Sequence, residues 1–238
     1  MKSIADITAA YAADSKRQTQ IEAEHQARID RERADRRRYL RKRSMVPDRF
    51  RTTDLDRLER TDGNAKALDA AMRVRAGLFS QSIALYGGDV GSGKTAIAAA
   101  LVNAANDSLV AARMLTIVTL VDQMHEASKF GSDEDVTQIV ADFGRTPVLL
   151  LDDLGREPVT RRSIPWLYEL LNRRWNANRP LILTTNLSFD GLVDRYAEIC
   201  ARAGEPESTA EAIVDRLRGL VPLSSWFEVS GASRRGRQ

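Results

Sequence analysis

The chain has very few of the residues that build disulfides and zinc sites. It contains one cysteine, Cys200, and two histidines, His25 and His125. A single cysteine cannot form an internal disulfide, and so few ligands exclude a Cys/His zinc cluster. No apolar run approaches the roughly 20 residues of a membrane span, and the N-terminus lacks the apolar core of a secretory signal. We therefore expect a cytoplasmic protein that does not bind membranes.

Residues 1–45 contain neither proline nor glycine. Ile4, Ile7 and Tyr11 recur at helical spacing, and opposite charges such as Arg28 and Glu32 lie four residues apart, which favours an exposed helix. Too few apolar residues are present for a core, so fixed structure should depend on a partner; a solvated, partly disordered arm is the alternative. We predict a basic helical partner-binding arm over residues 1–46, a linker over 47–64, and the main domain over 65–238.

The small net charge of +3 hides a strong segregation of charge along the chain. Residues 1–51 carry 14 basic and 8 acidic side chains, a net +6, and Arg234, Arg235 and Arg237 add +3. The stretch between them is therefore about −6. This pattern predicts basic ends that contact nucleic acid or an acidic protein surface.

A phosphate-binding pattern, G-x-x-x-x-G-K-T, is the most informative motif in the chain. An apolar run at 83–86 precedes it and an alanine-rich helical segment at 95–105 follows it, as expected for a strand, loop and helix that bind an anion. In this motif backbone N–H groups hold phosphates, the lysine reaches the β- and γ-phosphates, and the threonine hydroxyl binds Mg²⁺. The alternative is a glycine-rich turn with an exposed lysine. The predicted ATP-binding residues are Gly88, Asp89, Val90, Gly91, Ser92, Gly93, Lys94 and Thr95.

Short apolar runs alternate with helical patterns through the main domain. We predict strands at 82–86, 114–118, 148–151, 181–184 and 226–229, with helices that include 65–78 and one that starts at Ser163. Alternation of this kind indicates an α/β fold with a five-stranded parallel sheet covered by helices on both faces. We interpret the run at 114–118 as the extra strand that one group of ATPases inserts between its two nucleotide motifs.

Two apolar strands end in polar residues suited to nucleotide chemistry. Asp152 and Asp153 follow the run at 148–151; Asp152 could hold Mg²⁺ through its water shell, and Asp153 could orient and deprotonate the attacking water. Asn186 follows the run at 181–184 and could reach the γ-phosphate or the water. Taken alone, the acids could form a solvated turn, and Asn186 could belong to a turn or helix cap before Ser188 and Asp190.

Four segments together carry a family resemblance: GDVGSGKT, LLLDDLGRE, NRRWNANRP and LTTNLS. They resemble the DnaC-type helicase-loader ATPases and their IstB-type transposition relatives, both of the AAA+ class, over about residues 47–235. The resemblance implies a P-loop AAA+ core and a sensor I role for Asn186. We expect no C-terminal lid domain, because about nine residues follow Val229, which agrees with the short DnaC and IstB architecture.

The resemblance also implies roles for arginines near the C-terminus. Arg216 is the candidate finger that reaches the ATP of a neighbouring subunit, and Arg218 is a close competitor. Some loaders carry this arginine about four residues earlier, where this chain has Ala212. Arg235 is the candidate sensor II, although Arg234 replaces the aromatic residue usual before it.

By resemblance, the chain would load a hexameric DnaB-type replicative DNA helicase onto single-stranded DNA. The arm would dock on the helicase, ATP between subunits would promote self-association, and hydrolysis would release the loader. Arg145, Arg161 and Arg162 are candidate DNA contacts. Two alternatives stay open: an IstB-type transposition helper that acts on duplex DNA, and an adaptor whose ATP is structural.

Overall fold

A computed structural model describes residues 4–88, 91–129, 133–156 and 163–231 of the chain. Contacts divide the chain into two compact units, Met1–Tyr39 and Leu40–Gln238. The first unit is helical and exposed from Arg17 onward apart from a half-buried Ile29, and one of its i,i+4 pairs joins Arg28 to Glu32 at 3.9 Å. Within the described ranges, no helix is both long and apolar enough to cross a membrane.

One or two α-helices separate successive strands in the second unit. The strands are β1 (Ile83–Tyr86), β2 (Ala112–Thr116), β3 (Val148–Asp152), β4 (Leu181–Thr184) and β5 (Trp226–Glu228). The helices are α1 (Ile4–Arg43, of which only the last turn belongs to this unit), α2 (Ala65–Ala76), α3 (Lys94–Asp107), α4 (Ile117–Lys129), α5 (Asp133–Arg145), α6 (Ser163–Asn176), α7 (Phe189–Ala203) and α8 (Glu207–Leu220).

The five strands form one parallel sheet in the order β2-β3-β4-β1-β5. Successive residues of β3 point to opposite faces, so that Leu149 and Leu151 join the core under α4 to α8 while Val148 and Leu150 join the core under α2 and α3. Both faces are therefore buried, which explains why the central strands are apolar without interruption. The predicted α/β fold with helices on both faces is confirmed.

The structure corrects two details of the predicted sheet. The second strand lies at 112–116 and not at 114–118, because Ile117 and Val118 begin α4 and the Thr116 hydroxyl accepts a hydrogen bond from the Thr119 N–H at 3.0 Å, as in an N-cap. β2 is also not the strand inserted between the two nucleotide motifs in space. That position is held by β4, which pairs with both β1 and β3.

The segment after α1 lies along the edge of the sheet and against α3. The Met114 N–H in β2 donates to the Ser44 carbonyl at 2.7 Å, and Ser44 and Val46 are buried. Further along, the Asn103 amide in α3 donates to the carbonyls of Phe50 and Thr53, at 2.8 and 2.9 Å. Helix α3, whose first residue is Lys94, is thus fixed to the connecting segment by side-chain bonds.

Candidate nucleotide-binding site

The loop between β1 and α3 has the backbone shape of a phosphate cradle. Gly87, Gly88, Gly91 and Gly93 all have φ between 64° and 105°, the left-handed region that glycine adopts without strain. A Cβ on Gly88 would lie 2.1 Å from the Val229 carbonyl oxygen, so no side chain fits there. Two loop residues predicted to bind ATP, Asp89 and Val90, lie outside the described residues.

Lys94 is placed inside this loop. Its side chain is 6% exposed, and Nζ donates to the Gly87 carbonyl at 2.6 Å and to Ser92 Oγ at 3.1 Å. A Cβ built on Gly93 would meet nothing within 4 Å, so open space adjoins the first turn of α3. A lysine cation, a helix N-terminus and adjoining space together fit the phosphates of a nucleotide.

Asp152 lies directly across from this helix terminus, at the end of β3. The Thr95 hydroxyl donates to Asp152 Oδ1 at 3.0 Å, and the Thr184 hydroxyl at the end of β4 donates to the same oxygen. The pKa of Asp152 is raised, and burial is the largest cause, since the residue is only 4% exposed. The hydrogen bonds from Thr184 and Thr95 lower this pKa, whereas the charge of Asp153 raises it further.

The donor set of Thr95 and Asp152 fits a magnesium ion. A hydroxyl and a carboxylate are the hard oxygen ligands that Mg²⁺ prefers, and the ion usually keeps several waters and binds substrate phosphates. A desolvated carboxylate gains most from a cation, since burial disfavours its charged form.

Asp153 follows Asp152 in a strained backbone position. Its φ is 60°, and its N–H donates to Thr184 Oγ1 at 3.0 Å. The carboxylate is 38% exposed and lies 4.0 Å from the Arg156 guanidinium. The two adjacent carboxylates therefore lie in different environments. Asp152 is buried against Thr95 and Thr184, whereas Asp153 is accessible to solvent.

Asn186 lies on the neighbouring strand end. β4 stands between β1 and β3, and the Thr185 N–H donates to the Leu85 carbonyl at 3.1 Å, which fixes the end of β4 beside the end of β1. Asn186 is half-buried and makes no side-chain hydrogen bond to the described residues. The structure therefore brings the strand ends that carry Asn186 and Asp152 to the same edge of the sheet as the phosphate loop.

The predicted arginines that the structure describes, Arg145, Arg216 and Arg218, make no hydrogen bond or ion pair with the described residues of this cluster. Arg216 Nε donates to Asn172 Oδ1 in α6 at 3.0 Å and its NH1 donates to Asp215 at 2.7 Å. The Arg218 guanidinium lies over the Phe189 ring, 5.1 Å from its centroid. Arg145 is exposed at the end of α5. Arg161, Arg162, Arg234 and Arg235 lie outside the described residues.

Sequence reasoning missed Thr184 as a functional residue. Its hydroxyl donates to Asp152 and accepts from the Asp153 N–H, so it connects both candidate acids to β4. The available signal was a threonine at the carboxyl end of the strand that precedes Asn186. Threonine is also common in strands, so that signal is weak without the sheet order.

Comparisons with known proteins identify the family of the chain. The model of the family described as IstB-like ATP binding protein matches residues 5–238. The replicative helicase loader DnaC of Buchnera aphidicola subsp. Acyrthosiphon pisum (strain APS) is 25% identical over 142 residues, which cover 58% of this chain and 56% of that protein. The match thus spans little more than half of that relative.

Solved structures share the fold at low sequence identity. The crystal structure of DnaI is 21% identical with a TM-score of 0.61, covering 80% of this chain and 94% of that one. The crystal structure of the DnaC helicase loader is 21% identical with a TM-score of 0.60, covering 77% of this chain and 99% of that one. Because the family model matches nearly the whole length of the chain, the chain belongs to the IstB-like ATP binding proteins.

Proposed function

We propose that this chain is an ATPase that loads a hexameric DnaB-type replicative helicase onto single-stranded DNA. The ATPase part rests on one observation above the others, the hydrogen bond between Thr95 and Asp152 that joins the phosphate-loop helix to the acidic end of β3. The loader part rests on the similarity to a curated DnaC loader and on the family match.

In the proposed reaction the chain's own residues bind the phosphates and move one proton. The loop N–H groups and Lys94 hold the β- and γ-phosphates, and Thr95 and Asp152 hold Mg²⁺. Mg²⁺ supplies charge neutralisation of the phosphate oxygens. Asp153 orients the attacking water and accepts its proton, and Asn186 positions the γ-phosphate or that water.

Assembly would complete the site. Arg216 bonds Asn172 of α6 and makes no hydrogen bond or ion pair with the described part of its own phosphate loop, which suits a finger that acts on the ATP of a neighbouring subunit. Arg235 would serve as sensor II. We expect ATP to promote self-association and turnover to be slow until subunits assemble.

Residues 1–46 would form the arm that docks on the helicase. Residues 47–64 would link this arm to the ATPase domain, residues 65–238, which would bind ATP and single-stranded DNA. The basic charge of residues 1–51, a net +6, suits an acidic partner surface. The proposed DNA contacts, with Arg145 among them, should weaken with salt.

The decisive experiment measures complex formation between the full chain and the replicative helicase of its source, by size-exclusion chromatography with light scattering in ATP and in ADP. A variant that begins at Leu40 is the control, because it keeps the buried Ser44 and Val46 of the main unit. We expect a complex that requires residues 1–39. Absence of any complex, together with assembly on duplex DNA, would instead support a transposition helper.

Two point variants separate ATP binding from turnover. Lys94→Ala should abolish ATP binding, because the cation that faces the phosphates is lost; tight binding by this variant would refute the assigned site. Asp153→Asn should keep ATP binding but stall loading. Normal loading by Asp153→Asn would indicate an adaptor with structural ATP.

A further inference from the structure

We infer that Arg195 is a positioning residue for ATP hydrolysis, which holds the turn that carries Asp153. The inference rests on the proposed ATPase activity. Arg195 lies in α7, and its Nε donates to the Gly155 carbonyl at 3.0 Å while its NH1 donates to Glu198 at 2.8 Å. Its side chain is 25% exposed, so the bond to Gly155 is partly shielded from water, whereas Glu198 is 51% exposed.

The turn from Asp153 to Arg156 depends on partners outside itself. The Asp153 and Leu154 N–H groups both donate to Thr184, to its hydroxyl at 3.0 Å and its carbonyl at 2.9 Å. The Leu154 carbonyl accepts from the Thr185 hydroxyl at 2.8 Å. The Gly155 carbonyl then accepts from Arg195. β4 thus fixes the start of the turn, while its far end is held by Arg195 and by the Arg156 N–H, which donates to the Asp153 carbonyl at 3.2 Å.

Packing against α7 makes the placement of Gly155 specific. Its φ is 92°, and a Cβ there would lie 3.0 Å from Leu192 and 3.1 Å from Leu187. The turn is therefore pressed against the start of α7, and Arg195 closes over it. Without the Arg195 bond, the Gly155 carbonyl would lose a charge-assisted hydrogen bond where little room exists for another arrangement.

The consequence concerns the direction of the Asp153 carboxylate. A non-glycine residue at a φ of 60° persists only when its surroundings hold it, because this region is unfavourable for residues with a Cβ. α7 begins shortly after Asn186, and Ser188 caps it by accepting from the Gly191 N–H at 3.1 Å. Arg195 therefore connects the helix that follows Asn186 to the turn that aims Asp153.

The test compares three variants on α7. Arg195→Met keeps the apolar stem and removes the donors, and we expect kcat to fall by about 10- to 100-fold with unchanged affinity for ATP, as for a misplaced catalytic group. Arg195→Lys should recover part of the loss. Arg202→Met is the matched control, because Arg202 bonds Glu198 from the same helix and is 63% exposed; its kcat should equal that of the wild type.

A double variant shows whether Arg195 acts through Asp153. In an Asp153→Asn background, Arg195→Met should cause no further fall in the single-turnover rate, since two residues of one unit are not additive. A further fall by the full factor would overturn the inference. An equal fall in kcat in Glu198→Gln and in Arg195→Met would also overturn the inference, since it would assign the effect to the ion pair between Arg195 and Glu198.

Hydrogen exchange provides a readout independent of hydrolysis. The amide protection of a peptide covering Leu150–Arg156 should decrease in Arg195→Met and stay unchanged in Arg202→Met. Unchanged protection in Arg195→Met would overturn the inference even if the protein is an ATPase. If Asp153→Asn hydrolyses ATP at the wild-type rate, the proposed role of Asp153 fails, while the exchange result still decides whether Arg195 holds the turn.

Discussion

Asp152 illustrates a residue placed for function at a cost in stability. Its carboxylate is buried among hydroxyl groups, and burial is the largest influence on its pKa, which is raised. A raised carboxyl pKa means that the ionised form destabilises the fold. The free energy of unfolding therefore falls as the pH rises past the unfolded-state pKa. In metal-free buffer at neutral pH, Asp152→Asn should therefore raise Tm by about 2–4 °C while it abolishes hydrolysis.

Asp153→Asn is the control for this prediction. Asp153 is 38% exposed, so removal of its charge relieves little desolvation, and we expect Tm to change by about 1 °C or less. Calorimetry on both variants, with and without Mg²⁺, measures the difference. A lower Tm for Asp152→Asn would mean that the threonine bonds outweigh burial.

At the residue level, the sequence predicts groups whose chemistry is tied to a motif and misses those whose role depends on packing. Lys94, Thr95 and Asp152 are predicted by the phosphate-loop motif and the apolar runs at 83–86 and 148–151, and the structure places Thr95, next to Lys94, against Asp152. Arg195 gave no signal, because an arginine on an amphipathic helix usually faces solvent. Its bond to Gly155, 40 residues earlier, exists only after α7 packs beside β3.

Arg174 connects the elements that lead into two strands. It is fully buried in α6 and donates to the carbonyls of Phe143 at 3.0 Å and Thr146 at 2.9 Å, and also to Pro180. These carbonyls lie at the end of α5 and at the entries to β3 and β4. Burial lowers the pKa of Arg174 to about 9, which leaves it charged at neutral pH, where the C-terminal dipole of α5 favours a cation.

Loss of this arginine should destabilise the whole domain. We predict that Arg174→Met lowers the free energy of unfolding by about 3–5 kcal/mol, since several buried carbonyls lose their donor at once. Arg174→Lys should recover only part of the lost stability, because an ammonium cannot span the same carbonyls. Urea unfolding measures both. Arg173→Lys is the control. The Arg173 side chain is 38% exposed and pairs with Glu169, so we expect the free energy of unfolding to change by less than about 1 kcal/mol.

At the element level, four of the five strands were predicted to within about one residue, because buried parallel strands are continuous apolar runs. The second was shifted by two residues, since an apolar run that crosses from strand into helix carries no period that separates them. The position of β4 between β1 and β3 was not predictable from chain order, because parallel strands joined by helices need not pair with their sequence neighbours.

At the scale of the whole molecule, the proposed sharing of the ATP site between subunits predicts complementation. Asp153→Asn subunits keep the proposed finger, Arg216, but lack the proposed base, whereas Arg216→Ala subunits keep the base and lack the finger. A head-to-tail interface between one of each restores a complete site. An equal mixture should therefore recover about a quarter of the wild-type ATPase rate, if subunits mix at random in such an interface. Each protein alone should be nearly inactive, as expected when a finger worth about 10³-fold or more is lost.

Two controls make this outcome specific to Arg216. A mixture of Asp153→Asn with Lys94→Ala should stay inactive, because both changes damage the same half of the site and no interface becomes complete. Arg218→Ala should lose far less activity than Arg216→Ala, since Arg218 lies over Phe189 of its own chain. If the mixture of Asp153→Asn and Arg216→Ala stays inactive at concentrations where the wild type assembles, Arg216 acts within its own subunit or supports α6 through Asn172.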